Sequence, residues 1–142
     1  VRQVARQLSQ RRIMEAVPQA DVVVVNPTHY AVAMKYKPGM RAPVVVAKGV
    51  DELALAIRAI ADRHRVAIVE APPLARALYR TARIDQEIPV KLYAAVAQVL
   101  SYVYQLRAWA PGRGPMPSLA ELDVGAEGAP DPDAGGDGSP AR

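Results

Sequence analysis

The run Asp21 to Tyr36, DVVVVNPTHYAVAMKY, restricts the fold of this chain more than any other stretch. Val22 to Val25 are β-branched, contiguous and free of polar residues, the pattern of a short strand covered on both faces. Proline cannot extend such a strand, because its φ is fixed and it has no N–H for the ladder. Asn26-Pro27-Thr28-His29 therefore reads as a tight turn, with Asn26 in the first position, Pro27 in the second and His29 in the fourth. A second strand-like run follows from Tyr30 to Tyr36. Any fold of this chain has to cover a valine strand on both sides and reverse the backbone immediately after it.

The turn also carries a candidate chemistry. Asparagine ordinarily decays when the next residue's backbone nitrogen attacks its side-chain carbonyl, and Pro27 closes that route because its nitrogen has no hydrogen. The reverse geometry stays open: the side-chain amide nitrogen of Asn26 attacks its own main-chain carbonyl, closes a succinimide and expels the Pro27 nitrogen. A turn that holds the amide against the carbonyl supplies the orientation that such an intramolecular attack needs, and strain stored in the turn assists it. His29, with an ordinary pKa of about 6.5, can move the proton, and Thr28 can orient the group by hydrogen bonding. The same four residues equally describe a plain hairpin turn with a partly exposed histidine, and their chemistry alone leaves both readings open.

Around this stretch, the pattern predicts an α/β fold, a small four-stranded and partly parallel sheet flanked by about four helices. Val1 to Ala16 reads as a linker helix with Val4, Ala5, Leu8 and Arg12 on one stripe, ended by Pro18. Lys37-Pro38-Gly39-Met40 supplies a second turn, and Pro43 to Ala47 a third strand that Gly49 breaks. Asp51 caps a helix reaching about His64, with Leu53, Ile57, Ile60 and Ala61 inward. Val66 to Val69 gives a fourth strand, Glu70 to Arg76 opens a short helix through two prolines, and Ile88-Pro89 begins a last helix to about Arg107. These elements divide the chain into a linker, 1–20, an α/β domain, 21–109, and a tail, 110–142, whose Gly, Pro, Asp and Ala content predicts disorder.

Charge follows the same division. Residues 1–110 hold sixteen of the eighteen Lys and Arg and eight of the fourteen Asp and Glu, so the body is +8 and the tail −4. One tryptophan and six tyrosines, not interleaved with the basic residues, argue against a nucleic-acid partner. Arg2, Arg6, Arg11 and Arg12 instead suit an anionic membrane surface near the amino-terminal end. With no cysteine and two histidines so placed, no thiolate metal site, phosphate loop or Ser/His/Asp set can be assembled, so neither a cofactor, a metal nor a turnover enzyme is expected. No apolar run approaches the length of a membrane span, which predicts that the chain as given is soluble.

Four segments in order, NPTHYAVAMKY, APVVVAKGVDELALAIR, EAPPLARALYR and QEIPVKLYAAVAQVLSYVYQLR, closely resemble the cytoplasmic domain of the type III export-switch family, FlhB/YscU/SpaS. Tyr30 after the histidine, and Ala47-Lys48-Gly49, resemble its flagellar rather than its injectisome members. The resemblance implies that the Asn26–Pro27 bond cleaves itself, with Asn26 cyclising, Pro27 becoming the new amino terminus, and Thr28 and His29 in support. It implies that the two pieces stay associated. It further implies a membrane-spanning portion upstream, a place at the cytoplasmic face of the bacterial inner membrane, and a role as substrate-specificity switch and docking platform. Its partners would be other export proteins, a hook-length regulator and export substrates. The alternative is a non-cleaving basic α/β binding module with a membrane or nucleic-acid partner.

The last helix holds more apolar residues than one stripe can bury. Leu92, Val96, Val99, Val103 and Leu106 make the expected core face, leaving Ala97, Leu100 and Tyr104 on a neighbouring exposed face that Ala42-Pro43 extends. Ala42, Pro43, Ala97 and Leu100 are therefore the candidate docking residues for an apolar segment of a partner.

Overall fold

The computed structural model describes residues 10–132 of the chain. Four strands, β1 (Val22–Asn26), β2 (Tyr30–Lys35), β3 (Val44–Val50) and β4 (Ala67–Glu70), form one sheet in the order β3-β2-β1-β4. β1 and β2 are antiparallel with Asn26 opposite Tyr30, β2 and β3 are antiparallel, and β4 runs parallel to β1. The partly parallel four-stranded sheet expected from the sequence is thus observed. Among the described residues, no helix is long and apolar enough to cross a membrane.

The alternation of the strand explains the valine run. Val22 and Val24 join the core on one side, with α3 (Pro72–Thr81) and α4 (Tyr93–Ala108). Val23 and Val25 join the core on the other side, with residues 10–16, here α1, and with α2 (Asp51–Arg63). Successive side chains of a strand point to opposite faces, so a strand covered on both sides has no polar position to offer. All five residues of β1 are buried. At the other end of the hairpin, Asp21 holds both strands by accepting from the Tyr36 amide (2.7 Å) and from Lys37 Nζ (2.9 Å).

Several expectations need correction. Val4, Ala5 and Leu8 lie outside the described residues. Arg12 is exposed and paired with Asp85, and Ile13 and Val17 supply the inward face of this segment instead. Gly49 does not break β3 but sits within it: a Cβ there would come within 2.5 Å of Leu53 Cβ, so glycine is what lets α2 fold back on the strand. Asp51 makes no capping side-chain bond and is the first residue of α2, with Ala54 rather than Leu53 fully inward. Residues 111–131 contain little regular structure beyond a short 3-10 turn, Ala126–Gly128, yet they are not the disordered tail expected, because Leu119, Leu122 and Val124 pack against the α3/α4 core. Residues 133–142 lie outside the description, and with them the expectation of disorder for that end of the tail.

Leu100 is the correction with most consequence. It is 6% exposed and belongs to the core with Ala95, Val96, Val99 and Val103, whereas Leu106, expected inside, is partly exposed. An apolar helix offers no periodic contrast from which to choose its inward face. Ala97 and Tyr104 are exposed as expected, and Ala42 is buried.

Candidate functional site

The turn predicted between the first two strands is present, and the Asn26 carbonyl accepts from the His29 amide at 2.9 Å. That bond closes a four-residue turn with Pro27 second, and the third residue, Thr28, has a φ of 71°. Proline followed by a positive φ is the type II pattern, which ordinarily takes glycine at the third position. A β-branched residue there is an outlier held at about 1–3 kcal/mol of strain. Asn26 itself, at 9% exposure, is the buried polar residue of the described chain, while Pro27 and His29 are half-buried and Thr28 faces solvent. The scissile candidate is therefore anchored in the sheet on its amino side and strained on its carboxyl side.

His29 is fixed from both ends of its backbone. Its N–H goes to Asn26, and its carbonyl accepts from the Asp51 amide at 3.0 Å. The Asp51 carboxylate lies 3.8 Å from His29 Nδ1, beyond a hydrogen bond but beside the imidazole edge. Asp51 also has a positive φ, 50°, where β3 turns into α2. This aspartate does not make the helix cap expected of it. Its contact with His29 exists only because β3 pairs with β2, with Val50 opposite Tyr30, so no local pattern shows it.

The residue after the histidine is held as firmly. The Tyr30 ring packs on Tyr79 at 5.1 Å between centroids, and Lys48 Nζ lies 4.8 Å over the other ring, that of Tyr79. Lys48 Nζ also donates to the Tyr79 and Ala82 carbonyls at 2.9 and 2.8 Å, satisfying free carbonyls at the end of α3. Burial pushes the Lys48 ammonium below its ordinary pKa, with Arg83 nearby acting in the same direction. Tyr30, Tyr79 and Lys48 thus connect the start of β2 to α3.

The four candidate docking residues are brought together as well. Ala42, Pro43, Ala97 and Leu100, joined by Tyr93 and Tyr104, line a mainly apolar groove of about 410 Å³ beside α4. Leu100 contributes to its floor from the core rather than standing free on the surface. Among the described residues there is no cluster of acidic, histidine or cysteine side chains able to hold a metal.

An α/β sheet built on a valine strand that ends in a strained Asn-Pro-Thr-His turn places this chain in a known class: it belongs to the FlhB HrpN YscU SpaS family, whose model matches residues 1–103. Among individual proteins, the chain is similar to the flagellar biosynthetic protein FlhB of Salmonella typhimurium, 57% identical over 122 residues, which are 85% of this chain and 32% of that protein. It spans about a third of the length of such relatives. The crystal structure of the cytoplasmic domain of FlhB from Shewanella putrefaciens matches with a TM-score of 0.73 and 55% identity, over 80% of this chain and 88% of that one. The C-terminal domain of EscU with an asparagine mutated to alanine matches with a TM-score of 0.61 and 32% identity, over 63% and 90% of the two chains.

Proposed function

We propose that this chain is the cytoplasmic part of a component of the flagellar protein-export apparatus, at the inner face of the bacterial inner membrane, and that it cuts itself once between Asn26 and Pro27. The observation that carries the reading is the turn: an asparagine at the end of a buried strand, a proline leaving group, and strain at Thr28. In the step, Asn26 Nδ2 forms a bond to its own carbonyl carbon, the carbon–nitrogen bond to Pro27 breaks, and one proton moves from Nδ2 to the Pro27 nitrogen. No water is consumed. His29, in the same turn as the departing nitrogen and with its backbone N–H on the Asn26 carbonyl, carries the proton. Cleavage releases the strain at Thr28, so part of the driving force is already in the folded chain.

Intact-mass measurement after denaturation tests this. Two fragments meeting at Asn26–Pro27 are expected, the amino-terminal one lighter by one water than a hydrolysed peptide until its succinimide opens. A single species of full mass, or a fragment that never passes through the lighter form, overturns the reading in favour of no cut or of an external protease.

The pieces stay associated in this reading, because β1 would remain between β2 and β4 with four valines buried, each worth about 1.5–3 kcal/mol. The cut domain then serves as specificity switch and docking platform for export substrates and other export proteins, a hook-length regulator among them. The groove of Ala42, Pro43, Ala97 and Leu100 suits a short apolar segment of an unfolded substrate. Since Leu100 is buried, the discriminating variant is Ala97→Asp: substrate binding falls about tenfold or more while the melting temperature and self-cleavage hold. Undiminished binding removes the groove from the reading.

A further inference from the structure

The tail does not merely trail from α4; residues 124–131 are seated on α3 by contacts of several kinds. Arg76 and Arg80, one helical turn apart and so on one face, act as two clamps. Arg76 Nε donates to the Gly128 carbonyl at 2.8 Å, and Arg80 donates to the carbonyls of Glu127 and Ala129 at 2.8 and 2.7 Å. Arg80 also pairs with the Asp131 carboxylate, whose second oxygen accepts from the Tyr30 hydroxyl. Lys91 Nζ meets Glu127 at 2.9 Å. Val124, 8% exposed, provides an apolar anchor in the core.

Gly128 shows how closely the segment fits. It is buried, and a Cβ there would come within 2.3 Å of Val124 Cγ2 and 2.9 Å of the Pro73 carbonyl oxygen, which belongs to the rigid start of α3. Backbone carbonyls read by two arginines, a glycine at the point of closest approach, an apolar anchor before it and a carboxylate after it are the parts of a peptide-recognition site. The charge of the whole molecule, +8 in the body against −4 in the tail, runs in the same direction.

We infer that the face of α3 formed by Pro73, Arg76 and Arg80, together with Tyr30 at the start of β2, is a peptide-binding site for short acidic segments of the pattern apolar residue, glycine, carboxylate, and that residues 124–131 of this chain are its resident ligand, bound in cis. The site closes over the hydroxyl of Tyr30, one residue after His29. Its working range follows from its groups. The Asp131 carboxyl is held below its ordinary pKa by the Tyr30 hydroxyl and Arg80, so its contribution is present at neutral pH and lost only as the solution is acidified below about pH 4. The Tyr30 hydroxyl is pushed above its ordinary value by the same carboxylate, so its contribution is lost only above about pH 10. Facing these two are Arg76, Arg80 and, through Glu127, Lys91. Within the physiological range the site responds to salt and to competing ligand, and not to pH.

The test separates ligand from receptor. Gly128→Val with Asp131→Ala alters only the tail and leaves α3 intact. A fluorescently labelled synthetic peptide of residues 120–132 is titrated into the double variant and into the unaltered chain. Saturable binding to the variant is expected, at least about tenfold weaker in the unaltered chain because the tethered segment competes at roughly millimolar effective concentration. Adding Arg80→Glu to the variant is expected to abolish it. No saturable binding, equal binding to both chains, or binding indifferent to Arg80→Glu overturns the inference. Hydrogen exchange of the unaltered chain gives a second measurement that needs no tail variant. The Gly128 and Ala129 amides, bonded to the Gly125 and Ala126 carbonyls, are expected to be protected and to lose that protection in Arg80→Glu. Unprotected amides in the unaltered chain contradict a seated segment.

Discussion

β2 has a turn at each end, and the two are built on one frame. Asn26-Pro27-Thr28-His29 and Lys37-Pro38-Gly39-Met40 both place proline second, both put the third residue at positive φ (71° and 91°), and both close with a backbone bond from the fourth amide to the first carbonyl, at 2.9 and 3.1 Å. The difference lies in what occupies the frame. Gly39 takes its conformation without a side chain, and open space surrounds it. Thr28 takes it against the preference of a β-branched residue, next to an asparagine buried in the sheet. The relaxed turn shows that this backbone shape needs no strain when glycine fills it; the strain at Thr28 therefore belongs to the residue and not to the geometry of the hairpin.

Four changes test how much of the difference is chemistry and how much is strain. The largest effect is expected from Asn26→Ala, which removes the only nucleophile that can close the ring and abolishes the cut; fragments in its mass spectrum would show that an external protease acts instead. His29→Ala, which leaves the nucleophile but takes away the proton carrier proposed above, is expected to slow the appearance of fragments about a hundredfold. A time course indistinguishable from the unaltered chain would remove His29 from the step. Thr28→Gly makes the first turn resemble the second. It is expected to slow cleavage about tenfold, the equivalent of some 1.4 kcal/mol of strain no longer released, and to raise the melting temperature when combined with Asn26→Ala. An accelerated cut would mean that glycine's freedom, rather than Thr28's strain, aids the attack. The smallest effect is expected from Gly39→Thr, which imposes the strained residue on the second turn: a loss of about 1 kcal/mol in denaturant unfolding and no new cut, since Lys37 has no amide to attack with.

The valine run, the turn and the presence of four strands were legible because each depends on residues adjacent in sequence: β-branched contiguity, a proline that cannot pair, and short apolar runs between helical ones. What was not legible depends on residues far apart. Asp51 faces His29 only through the pairing of β2 with β3. Gly49 carried the usual mark of a strand end, and its reason for being glycine is a contact with Leu53 that appears only once α2 has folded back. Leu100 was misplaced because α4 is apolar on nearly every side. The docked tail was missed because its anchors, Leu119, Leu122 and Val124, are spaced for no regular element and gain meaning only against Arg76, Arg80 and Tyr30.

The central place of β1 also sets a kinetic rule. An uncut chain delivers β1 to its slot between β2 and β4 by closing a short loop, a step whose rate ignores how dilute the sample is. Once severed after Asn26, the same strand belongs to a separate molecule. Recovery from denaturant would then require two partners to meet, slowing in proportion to dilution, and the melting temperature would acquire a dependence on protein concentration that the intact chain lacks. A cut domain of this design lasts for as long as its strand is never released, and a single excursion to the unfolded state in a dilute compartment would end its service.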